Sequence, residues 1–277
     1  MKTRSLPAWI ALLGMAAAAY GQSPYQSSSD FARYAMKLRE NALLRIEPQV
    51  VVPTTGRTWF FGGPHYPWKT NIRTTVFWVG ERPTPNNPTP NHSSSWDPNW
   101  EGSFGGFDNP DPAVRRNFLP PFIPHQNPFY VALPFNDVEG GMTKPESFQV
   151  IPWIKEAWER QGKSVCRDRW IAIRHGNRIA YAQWADCGPF RTDHWQYVFG
   201  SDIPKPNLNG GAGLDVSPAV RDYLGMAPTD ITDWRFVEFR EVPQGPWSQY
   251  GDNNDFVVNR RRSSVASRQS VPTVVTK

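Results

Sequence analysis

Runs of β-branched and aromatic residues, broken by turn-forming clusters, dominate the hydrophobic pattern of this chain. Residues 74–79 read Thr-Thr-Val-Phe-Trp-Val, a strand signal, and further runs of the same kind lie at 58–61, 129–133 and 234–242. Two strand-like runs, 169–174 and 178–186, flank Gly176-Asn177, a pair suited to a tight hairpin turn. Pairing His175 with Arg178 sets Ile173 against Ala180 and Ile171 against Ala182. Carried to the strand ends, the same register sets Cys166 against Cys187.

Helical spacing is rarer. Behind Asp30 as a cap, Phe31, Tyr34, Ala35, Leu38, Ala42 and Leu43 recur on one helical face, ending before Pro48. A short helix is expected at 152–160, opened by Pro152 and stopped by Gly162, and a two-turn helix follows Ser217 as cap, with Pro218 first and Gly225 last. Between 81 and 126 no period holds. This stretch is rich in Pro, Asn, Ser and Gly yet carries Trp96, Trp100, Phe104 and Phe107, and a loop of that length is expected to be functional or disordered.

The chain ends change the picture. Lys2 and Arg4 precede an apolar run at 8–19, and Ala19 and Gly21 place small residues before Gln22, the pattern of a signal peptide over 1–21. The run is too short to span a bilayer as a helix, so no transmembrane segment is expected and a secreted or periplasmic location is. A polar leader with the N-terminal helix then covers 22–56, one domain 57–249, and a basic, disordered tail 250–277. Of the formal charge of +5, Lys2 and Arg4 supply two and the segment from Asp252 to Lys277 a net three, leaving residues 22–251 neutral. A neutral body excludes a nucleic-acid footprint on the domain. With only two cysteines in an exported chain, the hairpin register predicts a Cys166–Cys187 disulfide, two separate thiols being the alternative. No metal site is expected, because His175 and His194 lack ligand spacing with the cysteines. No cofactor is expected either, and a monomer is.

Two Asp-containing motifs lie in order along the second half. Ala185-Asp186-Cys187-Gly188-Pro189-Phe190 resembles the N-D-R-G-P-F motif of rare lipoprotein A-like domains. Leu214-Asp215-Val216-Ser217-Pro218-Ala219 through Leu224-Gly225 resembles their I-D-L-S-x-A-A-x-x-L-G, and in expansins and family forty-five endoglucanases the counterpart is H-F-D-L-S. Leu133-Pro134-Phe135 matches the L-P-F before the family's hairpin, and Thr75-Val76-Phe77-Trp78 looks like the opening strand of expansins. The resemblance runs from about Arg73 to Val242. It implies a mainly β fold, a six-stranded double-psi β-barrel with short helices, here extended by the N-terminal helix and the long inserted loop. It also implies polysaccharide or peptidoglycan as partner.

Carried over residue by residue, Asp186 and Asp215 are the candidate catalytic carboxylates. Glycan cleavage needs an acid for the leaving oxygen and, for inversion, a base for water. Each Asp also has a structural alternative: Asp186 fixing a turn, Asp215 bonding amides at the helix entrance. The family's His before L-P-F is Tyr130 here, the His of H-F-D is Gly213, and the endoglucanase opening Asp falls near Val79, with Glu81 close but out of line. Among the 13 Trp, those near the motifs suggest a sugar-stacking groove: Trp184, Trp195 and Tyr197, closed over by Trp96 and Trp100, with Tyr130 and Asp137 beside it. The alternatives are a non-catalytic, expansin-like glycan-binding or wall-loosening module, and a secreted protein-binding barrel that uses the 81–126 loop.

Overall fold

The computed structural model describes residues 66–84 and 87–269. The expected signal peptide, the expected leader with its helix, the expected 58–61 strand and the last residues of the tail lie outside the described residues. Six strands close into a barrel of mixed direction. They are β1 (Lys69–Val76), β2 (Tyr130–Leu133), β5 (Trp170–His175), β6 (Arg178–Cys187), β7 (Leu214–Val216) and β8 (Thr229–Phe236), in the order β1-β7-β2-β6-β5-β8. A separate two-stranded ribbon joins β3 (Val138–Glu139) to β4 (Met142–Thr143). Two pairings, β1 with β7 and β2 with β6, are parallel, and the other barrel pairings are antiparallel. Parallel neighbours cannot be joined by a tight turn, so long crossovers thread this barrel.

The hairpin forms in the expected register, His175 opposite Arg178 and Ile171 opposite Ala182. It does not reach the cysteines. The ladder ends at Trp170–Gln183, Asp168 takes a left-handed conformation (φ 66°), and the Arg169 amide turns back to the Cys166 carbonyl at 3.2 Å. Extended pairing therefore stops short of Cys166, and both thiols are free. The expected disulfide is thus absent.

Helices are short. They are α1 (Trp100–Phe104), α2 (Ser147–Val150), α3 (Ile154–Ala157), α4 (Trp195–Val198), α5 (Pro218–Leu224) and α6 (Asp255–Gln269). The Ser217 hydroxyl accepts the Val220 amide at 3.3 Å, and Gly225 ends α5 in the left-handed region (φ 70°). Both caps were legible in the sequence. Two other expectations fail. The last strand starts at Thr229 rather than 234, and 239–241 form a 3₁₀ turn instead. The tail is helical to Gln269 rather than disordered, and its first turn is docked: Trp170 Nε1 donates to Asp255 Oδ2 at 2.6 Å, and Phe256 meets the Trp170 ring edge-on at 5.9 Å.

The described residues of the long 81–126 stretch are ordered by burial. Phe77, Val79, Trp100, Phe104, Tyr130 and Ala132 form a second core beside the main one. A buried ion cluster holds the loop to α5: Arg115 pairs with Asp108 and, at 3.3 Å, with Asp222, while Arg221 reaches the Pro110 carbonyl at 2.7 Å. Substituting Arg115→Ala leaves the buried Asp108 without its cation, while Asp222 keeps Arg221 at 2.8 Å. It is expected to lower unfolding free energy by about 3–5 kcal/mol, read from denaturant melts.

Candidate active site

Asp186 and Asp215 meet because of strand order. Ala132 in β2 is the register partner of Asp215 on one side and of Asp186 on the other. Thr75 in β1 is in turn the partner of Asp215. The four residues make one row across four strands, Thr75, Asp215, Ala132 and Asp186. Directly paired residues project to the same face of a sheet, so both carboxylates share a side, with only the Ala132 methyl between them.

A bulge makes this possible. Val131 pairs with Trp184, but Ala132 pairs with Asp186, so Ala185 is an extra residue in β6. Without it Asp186 would move opposite Leu133 and change face, the usual effect of a one-residue slip. The bulge is held from inside, where Trp184 Nε1 donates to the Asp186 carbonyl at 2.7 Å.

The pair lines a cavity of about 420 Å³. Its floor is barrel, with Val76, Phe77 and Ala132 beside the two Asp residues. Gly188, Pro189 and Phe190 form one side, and Asn209 adds an edge. The start of the long loop supplies a further wall, with Thr89, Asn91, Ser93, Ser94 and Ser95. Gly188 leaves room where a Cβ would come 3.7 Å from the Asp215 carboxylate.

Electrostatics follows burial. Removal from water pushes the Asp215 carboxyl up to about 7. The Thr75 hydroxyl, which donates to its Oδ1, pulls the other way, and the charges of Glu81 and Asp186 push further up. Asp186 is raised to about 6, again by burial first, against the Ser95 amide that donates to its Oδ1 at 2.7 Å. Glu81 is also raised by burial and accepts Asn91 Nδ2 at 2.9 Å. The site therefore combines two carboxyl groups whose protonation burial moves toward neutrality. Among the described residues no cluster of His, Cys, Asp and Glu is suited to a metal.

The expected aromatic groove does not form. Trp184 has no exposed surface and belongs to the main core. Tyr197 is equally buried and accepts Trp234 Nε1 at 2.7 Å. Trp100 is buried, bonded to Gln126 Oε1 at 3.0 Å. Trp96 is half-buried against Trp184, its Nε1 on Asn136 Oδ1 at 2.9 Å, and Trp195 packs on the main core. Tyr130 is buried between Asp108 Oδ2, to which it donates at 2.8 Å, and the Val79 amide, which it accepts at 3.0 Å. Asp137 is fully buried and accepts the Ser164 hydroxyl and the Val165 amide, each at 2.7 Å. None of the seven lines the cavity; its rings are Phe77 and Phe190. Sequence reasoning missed Thr75, Ala132 and Ser95, whose importance arises only from register and loop packing. Cys187 also lines the cavity, its thiol pushed well up by burial and therefore a poor nucleophile.

Because the folded-state value of Asp215 lies above the ordinary carboxylate value, burying its charge costs stability above pH 7. Below about pH 4, where folded and unfolded forms are both protonated, that cost is absent. Asp215→Asn is expected to raise unfolding free energy at pH 8 by on the order of 1–3 kcal/mol. The gain should shrink toward zero by pH 4, measured by melts across pH. No protein-family model and no curated protein matches this chain, so the geometry of the site carries the functional reading.

Proposed function

We propose that this is an exported, double-psi barrel enzyme that cleaves polysaccharide or peptidoglycan glycan strands, with Asp215 as general acid and Asp186 as its partner base. The observation that carries the reading is the Asp186–Ala132–Asp215 row at the floor of one cavity. The two parallel pairings, β1 with β7 and β2 with β6, support the double-psi assignment. The N-terminal pattern of Lys2, Arg4 and the apolar run supports export.

The chemistry follows from the two carboxyl environments. Between about pH 6 and 7 Asp186 is ionised while Asp215 still holds its proton. Asp215 then protonates the glycosidic oxygen as the bond to the leaving sugar breaks, and Asp186 takes a proton from the water that attacks the sugar carbon. Two strand spacings separate their backbones, roughly 10 Å between Cα atoms, which leaves room for a water beside the sugar. That favours inversion over a covalent glycosyl intermediate. An expansin-like binding role would call for exposed aromatic stacking surfaces, and the cavity has few.

Mature protein incubated with peptidoglycan or cellulose is expected to release soluble products detectable by mass spectrometry. The rate should rise through about pH 6 and fall above about pH 7. Asp186→Asn and Asp215→Asn should each lower turnover by roughly 10²–10⁴-fold with the fold intact. Unchanged turnover in either variant sinks its catalytic role.

A further inference from the structure

The wall of the cavity is tied to the carboxylate it stands beside. Ser95, in the 87–95 segment, donates its amide to Asp186 Oδ1 at 2.7 Å. The residues that follow are held from the far side: Arg167 donates to the Trp96 carbonyl at 2.8 Å and meets Asp97 at 3.2 Å, and Asp97 also accepts Gln126 Nε2 at 3.0 Å. At the other end of the wall, Asn91 is bonded to Glu81 through both backbone and side chain, and its carbonyl accepts the Gly80 amide at 2.8 Å. Asn91 and Asp97 are themselves buried.

This is a fixed wall rather than a lid. Moving it away would strip Asp186 of the Ser95 amide and expose the Asn91–Glu81 and Asp97–Arg167 contacts together. Such a concerted loss of buried polar partners is unfavourable. The space next to Asp186, where a polymer running on past the reacting bond would have to lie, is therefore filled by protein. Residues 188–190 line the same cavity. A volume of about 420 Å³ holds a ligand of roughly two or three sugar rings, at the small end of ligand sites.

From this we infer that the site takes glycan chain ends and short oligosaccharides, and does not bind the interior of a long strand. The inference rests on the glycan reading above and adds the kind of glycan segment that fits. It assigns residues 87–95 the role of setting that selectivity.

The test counts chain ends at constant mass. Hydroxyethyl cellulose, glycol chitin and amidase-released peptidoglycan strands are each titrated against the mature protein, before and after partial acid hydrolysis that creates about tenfold more ends. Binding is read by calorimetry or fluorescence. For the polymer that binds, the half-saturating mass concentration is expected to fall by about tenfold after hydrolysis, in step with the ends, equivalent to about 1.4 kcal/mol. A half-saturating mass that does not change on hydrolysis overturns the chain-end inference and leaves the glycan reading standing. No binding to any of the three, cut or uncut, overturns the glycan reading and this inference with it.

Discussion

Two carboxyl groups set into a cavity on strands two apart in a closed barrel, Asp186 buried and Asp215 partly so, are the constraint around which this molecule is arranged. A buried carboxylate is costly unless amides, hydroxyls or cations compensate it. Asp215 has one hydroxyl partner, Thr75, and Asp186 accepts from the amides of Ser95 and Cys187 and from the Ser95 hydroxyl. Neither has a salt-bridge partner among the described residues. By contrast, Asp108 is fully buried but paired with Arg115, and Asp137 is fully buried between a hydroxyl and an amide. The protein thus gives Asp108 a cation and leaves the two cavity carboxyls without one, and burial, which raises Asp108 as well, moves the protonation of Asp186 and Asp215 toward neutral pH.

Holding such a pair in place demands rigidity elsewhere. The bulge at Ala185 aims Asp186, the Trp184 indole fixes the bulge, and the main core fixes Trp184. On the solvent side, the long loop has its own small core and a buried ion cluster that binds it to α5. Its opening segment can therefore stand as a wall against Asp186.

Local signals in the sequence carried a large share of the fold. The Gly176-Asn177 turn and its flanking alternation gave the hairpin register, and Ser217, Pro218 and Gly225 gave α5, because each depends on residues within a few positions. Elements defined by distant partners were harder to see. β7 is three residues long and exists through its pairing with β1 and β2. In β8, Thr229 to Asp233 contains one apolar residue, Ile231, and the strand is set by β1 and β5. The expected Trp groove failed for the same reason: a Trp beside a motif reads alike whether it faces solvent or core, and tertiary packing decided for the core. The two Asp motifs pointed to residues that do converge, whereas Thr75, Ala132 and Ser95 had no signal of their own.

The account stands or falls on the protonation of the two carboxyls, and NMR reads it directly. In protein carrying ¹³C at the Asp side-chain carboxyl, with Asp186→Asn and Asp215→Asn used to assign the signals, a titration from pH 3 to 9 follows each group. Asp186 should titrate near pH 6 and Asp215 near pH 7, apart from the rest of the Asp envelope. If both titrate near pH 4, as solvated carboxylates do, the site is neither dry nor poised for acid catalysis and the central claim is wrong.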